Sequence, residues 1–379
     1  LPKSAYAGCA AAIANVRVPI WIAAGLVGAL VLFLRSPDVF INPQFWAEDG
    51  PVFWQDQAEL GWRALFKPYA GYFNVAPRLV AALASWLNPA HAPRVFGLAA
   101  IALTLWSACT ASTCVDDPRL GVLLAIGLLL PPIYGGEVFG NVTNTQWLMA
   151  PTLALLLASK PAPNRVAFAA IAGLSGPFSV FLLPLAAARA IARKDIVAAT
   201  IGAAGLIQLA ALSMAAATPL GQSEPDLAHL AGVVVFRCFV SSPVCLVLGA
   251  AVLLYALLWR GHRWLRLCGL FLAAAVALGV VLKFMHAPDV LDAEVNGARY
   301  FYIPRVALLL CAVTLLFKDF VAALLGALFV AAMLFADPTA LQKPAPPDAR
   351  WRDHFRAGAQ LIETNPPGFA VRVPERARD

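Results

Sequence analysis

The sequence predicts an all-α polytopic membrane protein with about eleven transmembrane or partly spanning helices. Three observations carry this. Of 379 residues, 61% are hydrophobic and only 13% charged, about half the ~25% charge of a soluble domain. Apolar runs reach the length of about 17–25 residues that crosses a bilayer core. The runs are continuous and do not alternate over about ten residues, which is the pattern of helices and not of a membrane barrel.

In chain order the expected spans are 18–34, 73–88, 94–112, 119–134, 145–158, 166–189, 196–217, 231–258, 267–285, 301–317 and 320–336. They form one transmembrane domain, 1–336. The first run lacks a small-x-small cleavage site near its end and is expected to be retained. Residues 36–72 form a first outer loop whose segment 51–66 places Phe53, Trp54, Ala58, Trp62 and Leu65 on one helical face, as a juxtamembrane helix would. Spans 73–88 and 145–158 are short, as suits helices that line a cavity. In 166–189, Ser175-Gly176-Pro177 marks a break. Residues 337–379 form a short outward-facing, proline-rich tail. Within it Trp351, Phe355, Ala359 and Ile362 fall at helical spacing.

Charge sets the orientation. Lys3, Arg17, Arg189, Arg193, Lys194, Arg260, Arg263 and Arg266 collect in one set of loops, the cytoplasmic set by the positive-inside rule. Asp38, Glu48, Asp49, Asp56, Glu59, Glu224, Asp226, Asp289, Asp292 and Glu294 collect in the other. Strict alternation puts Lys160–Arg165 on the wrong side. Two half-helices that re-enter at 175–177 restore the parity and turn 137–144 outward. The net charge of +7 is thereby accounted for without nucleic acid. The seven cysteines contain no C-x-x-C and the five histidines no H-E-x-x-H, so neither disulfides nor a histidine metal site is indicated.

Chemistry concentrates in three polar stretches. In the first, Glu48 and Asp49 stand among Phe45, Trp46, Phe53 and Trp54. A carboxylate there can take a proton from an attacking hydroxyl or ligate a divalent cation; Asp49 before Gly50-Pro51 also suits a helix cap. Lys67, Tyr69, Tyr72 and Arg78 follow. Arg78 opens an apolar span, where a charge snorkels or takes a partner such as Asp49 or a phosphate. In the second stretch, Glu137, Asn141, Asn144, Gln146 and Trp147 offer groups that need partners, which a hydroxyl-rich ligand would supply. In the third, Arg299 and Tyr300 stand where an outer loop enters a span, and arginine forks match phosphate oxygens.

The motifs W-A-E-D-G (46–50), Y-A-G-Y-F-N-V-A-P-R (69–78), G-N-V-T-N-T-Q-W (140–147) and G-A-R-Y-F (297–301) resemble a bacterial multi-pass group within the GT-C class of membrane glycosyltransferases. The resemblance implies a GT-C-like fold in the bacterial cytoplasmic (inner) membrane, with the active site facing outward. It implies a polyprenyl-phosphate-linked sugar donor, a glycan or lipid acceptor, and inversion at the sugar. Asp49 is the expected base, taking the proton of the acceptor hydroxyl, with Glu48 as its helper (the resemblance also allows the reverse), and Arg299 or Arg78 would bind the lipid phosphate. The class leaves room for a divalent cation, magnesium or manganese. The chain lacks the sizeable soluble domain of large members. The alternative is a transporter or flippase of lipid-linked glycans, which would show internal repeats and charges within its spans; Arg237 and Lys283 are the main such charges.

Overall fold

The computed structural model describes residues 19–134, 137–215, 224–293 and 297–375. The expectations resting on Lys3, Arg17 and Glu294 lie outside the described residues. The helices are α1 Ile20–Arg35, α2 Asp38–Ile41, α3 Gln55–Leu60, α4 Val75–Ala84, α5 Ala92–Ser112, α6 Pro118–Leu129, α7 Thr145–Ala158 and α8 Val166–Gly173. They continue as α9 Phe178–Arg193, α10 Ile196–Met214, α11 Leu227–Cys238, α12 Pro243–Leu258, α13 Arg263–Phe284, α14 Tyr302–Leu315, α15 Phe320–Ala336 and α16 Trp351–Arg356. A hairpin of β1 Leu361–Thr364 and β2 Phe369–Arg372 pairs antiparallel, Leu361 opposite Arg372.

The protein is mostly helical, and among the described residues four helices are long and apolar enough to be candidate membrane spans: Pro89–Ser112, Ile196–Met214, Arg263–Phe284 and Ala298–Leu315. Five further apolar helices are shorter. The expected span 231–258 is two helices, α11 and α12, bent by 81°. Val240 and Ser241 take positive φ at the bend and Pro243 opens α12. Arg305 donates from Nε and Nη2 to the carbonyl of Arg237 there, satisfying backbone that the bend frees. Two helices form the centre: α14 is buried at every position and α7 at all but Ala158.

The break at 175–177 is present, and it has a partner. Residues 72–74, ahead of α4, are also unwound. Asn74 and Ser175 pair as an antiparallel bridge. Gly176 N donates to Phe73 O at 3.0 Å, Val75 N to Leu174 O at 3.1 Å, and Ala76 N to Ser175 Oγ at 2.8 Å. The buried Gln208 amide completes the set, accepting from Phe73 N at 2.8 Å and donating to Phe73 O at 2.9 Å. Two stretches of non-helical backbone thus satisfy each other inside protein. α8 starts beside Arg165, which donates to Thr113 O and Ser159 Oγ. α9 ends near Arg189, which donates to the carbonyls of Leu157 and Ser159. The pair therefore enters and returns at one end of the molecule. The 137–144 loop stands at the other end with Asp49 and Arg299.

The tail departs from expectation. Its helix stops at Arg356, and Ile362 lies on a strand with alternating burial. The hairpin and α16 cover the first loop. Trp46 pairs with Asn365, Ala47 N donates to Asn365 O, and Arg372 N donates to Gln55 Oε1 at 3.1 Å. Trp351 packs edge-on against Phe45 and Trp54, with ring centres 4.9 and 5.3 Å away. A Cβ on Gly50 would meet Val371 at 2.5 Å, so the loop needs glycine there for the hairpin to dock. The juxtamembrane helix is a π turn at Gly50–Trp54, then α3, then a 3-10 turn at Gly61–Phe66. The single apolar face expected for it is divided: Phe53 and Trp54 are buried in this tail-and-loop core, while Trp62 and Phe66 stay exposed.

Candidate functional site

A cavity of about 420 Å³ opens where the three polar stretches meet. Glu48, Tyr69, Tyr72, Asn144, Gln146, Trp147, Arg299 and Tyr300 all line it. Asp49, Lys67, Arg78, Glu137 and Asn141 do not.

The two adjacent acids diverge because they sit on a tight 3-10 turn, Ala47–Asp49, entered through Ala47 at positive φ. Glu48 is half-buried, faces the cavity, and accepts a hydrogen bond from Tyr69 Oη at 3.0 Å. Burial and the Glu48 carboxylate push the Tyr69 phenol up, so it remains a donor. Asp49 points the other way and is buried. Its carboxylate accepts from Thr143 N at 2.8 Å, Thr143 Oγ1 at 2.7 Å and Val142 N at 3.2 Å. Burial pushes its carboxyl up to about 6 against the pull of these donors, so at neutral pH it is ionised. Asp49 ties the first loop to the 140–147 loop. Lys343 reinforces this joint from the tail: its Nζ donates to Phe139 O at 3.2 Å and lies 3.9 Å from the centre of the Trp46 ring. Burial lowers it to about 8.

Arg78 is buried and closed off from the cavity, contrary to the expectation of snorkelling or of pairing with Asp49 or a phosphate. It donates to Asp56 Oδ2 at 2.8 Å and lies 4.9 Å from the centre of the Phe53 ring. Lys67 takes the other Asp56 oxygen at 2.7 Å. Glu137 and Asn141 act on the site from behind. Glu137 pairs with Arg299, and its carbonyl accepts from Asn141 Nδ2 at 2.9 Å and Asn144 Nδ2 at 2.7 Å. These bonds shape the 137–144 turn. Tyr72 and Gln146 touch across the floor, Nε2 to Oη at 3.5 Å, and burial raises the Tyr72 phenol. A Cβ on Gly176, at φ +112, would strike the Gln146 side chain, which fixes the broken helix against this floor.

The remaining lining went unread in the sequence as a site. Lys283, near the end of α13, reaches the rim and donates to Tyr300 Oη. Among the described residues no carboxylate pairs with it. Phe181, Leu212, Val276, Gly279 and Val280 form an apolar wall between α9, α10 and α13. The cavity thus joins a carboxylate and two cations to a hydrocarbon-compatible groove.

For a divalent cation the lining offers one carboxylate, Glu48, with phenols and amides, a sparse set for a hard metal. His229, Asp289 and Asp292 cluster closely enough to share an ion, but all three are exposed and outside the lining. Compared with known proteins, the chain matches no family model, no curated protein and no solved structure.

Proposed function

We propose that the chain is a membrane glycosyltransferase of GT-C type that moves a sugar from a polyprenyl-phosphate donor to a glycan or lipid acceptor. The observation that carries this reading is the joining of Glu48, Arg299, Lys283 and an apolar groove in one cavity. The groove suits a prenyl chain. Lys283 and Arg299 suit the phosphate, since charge-assisted hydrogen bonds to phosphate oxygens are the strong ones. Tyr69, Tyr72, Asn144 and Gln146 supply donors and acceptors for sugar hydroxyls, and Trp147 an aromatic wall.

Asp49, the base expected from the sequence, is buried against Val142 and Thr143 and does not line the cavity, so this reading takes Glu48 as the base and Asp49 as its positioning residue. The acceptor hydroxyl attacks the anomeric carbon as Glu48 takes its proton. The bond from that carbon to the phosphate oxygen breaks, the departing lipid phosphate keeps the electron pair, and Lys283 and Arg299 stabilise its charge. Attack opposite the leaving group inverts the centre. The gathering of Arg165, Arg189, Arg193, Arg260 and Arg263 at the opposite end supports reading the cavity as facing outward from the bacterial cytoplasmic membrane.

The test is sugar transfer from a polyprenyl-phosphate donor by the purified chain. Glu48→Gln should lower the rate by about 10²–10⁴-fold with an unchanged melting temperature. Full activity in Glu48→Gln removes the base; donor bound but never cleaved by the wild type favours a carrier of lipid-linked glycans.

A further inference from the structure

At the end opposite the candidate site, a cleft of about 930 Å³ lies between the loops 113–117, 158–162 and 260–265. Lys160, Arg165, Arg260 and Arg263 line it, against Asp116 and Asp117. Both carboxylates are engaged. Asp116 accepts from Lys160 Nζ at 2.6 Å. Asp117 caps α6, accepting from Arg119 N at 2.8 Å and Leu120 N at 3.4 Å. The arginines are left without a carboxylate partner among the described residues. Arg165 donates only to neutral groups, Ser159 Oγ and the carbonyls of Lys160 and Thr113. Arg260 and Arg263 are exposed.

Ordinary cytoplasmic loops are basic, so basicity alone would mean only orientation. Here the excess charge lines a concave space, and an exposed indole stands in its wall. Trp264 is 65% exposed. An exposed indole is the side chain enriched at headgroup level. Guanidinium forks are the side chains best matched to phosphate oxygens.

We propose that this cleft is a binding site for a phosphate-bearing anion, separate from the sugar-transfer cavity and held by Arg165, Arg260 and Arg263. The two sources with this chemistry are the headgroup of an anionic phospholipid and a soluble phosphate compound. The exposed Trp264 favours the headgroup. This assignment stands whether or not the opposite cavity transfers sugar, because it shares no residue with it.

The experiment is native mass spectrometry of the full chain released from detergent micelles doped with phosphatidylglycerol or phosphatidylcholine, with and without inorganic pyrophosphate. The double variant Arg260→Gln/Arg263→Gln is compared with Arg350→Gln/Arg352→Gln, which removes equal charge from the distant tail. Monodisperse elution of both establishes folding. Phosphatidylglycerol should be retained in preference to phosphatidylcholine. The cleft variant should lose about tenfold or more of that retention, and the tail variant far less. Retention undisturbed by pyrophosphate identifies the headgroup as ligand. Pyrophosphate that binds, or displaces the lipid, in wild type and not in the cleft variant identifies a soluble phosphate. Equal behaviour of the two variants, or no retention of either phosphate probe, overturns the assignment.

Discussion

Two clusters of charge stand side by side in the first loop and its surroundings, and they are built on opposite principles. Asp56 and Arg78 form the closed core of one cluster, with Lys67 half-exposed at its edge. Each Asp56 oxygen has its own cation, and Arg78 is sealed under the Phe53 ring. Glu48, Lys283 and Arg299 form an open one, facing the cavity. Glu48 holds a phenol and not a cation. Arg299 is paired with Glu137, yet both remain partly exposed. The closed cluster uses its charge to hold the fold. The open cluster leaves charge available for a ligand. A substitution in the first should therefore cost stability at little direct cost to chemistry, and one in the second the reverse.

That contrast can be broken from either side. The largest stability effect is expected at Asp56→Asn, which strands the buried Arg78 guanidinium. Removing one partner of a buried pair costs about 3–5 kcal/mol, read as a lowered melting temperature in detergent. An unchanged melt would mean that Arg78 is not dependent on this pair.

Asp49 belongs to neither cluster, being bound to Val142 and Thr143, and its signature is pH dependence. The folded carboxyl binds its proton at about 6, against a reference value of 3.8. Between those values the folded state holds a proton that the unfolded state lacks. The stabilisation from this group is full below about pH 4 and lost as pH rises through 6, a swing of about 3 kcal/mol. Melts of wild type and Asp49→Asn at pH 4.5 and 7 should diverge in that direction. Parallel curves would mean that burial does not raise this carboxyl in the folded protein.

The smallest effect is expected at Lys283→Gln in the open cluster. If the proposed phosphate contact holds, losing a charge-assisted bond worth about 1.5–3 kcal/mol should raise the KM for a polyprenyl-phosphate donor about tenfold or more with the melt unmoved.

The sequence made the polar walls legible because polar residues stand out in a chain that is 61% hydrophobic. The convergence of 46–50, 69–72, 143–147 and 299–300 follows from it. Which of two neighbouring acids faces the ligand does not, because that depends on the 3-10 turn after Ala47. Asp56 likewise gave no sign that it would claim Arg78. The apolar wall was invisible for a different reason: Phe181, Leu212 and Val280 have the same composition as any lipid-facing residue. Lys283 was visible as a charge near the end of a span, but its neighbours come from other helices. The break at Ser175-Gly176-Pro177 was readable from residue type, whereas the 81° bend at 239–242 was hidden inside one hydrophobic run. The tail hairpin was missed because each strand is four residues long, too short for alternation to outweigh a helical spacing of apolar residues.

The most direct measurement is a cryo-EM map of the full chain with an uncleavable phosphonate analogue of a polyprenyl-phosphate sugar. The expected density has the phosphorus between Lys283 and Arg299, the sugar against Glu48 and Trp147, and the prenyl chain along Phe181, Leu212 and Val280. A phosphorus bound elsewhere, or a sugar out of reach of Glu48, would contradict the account.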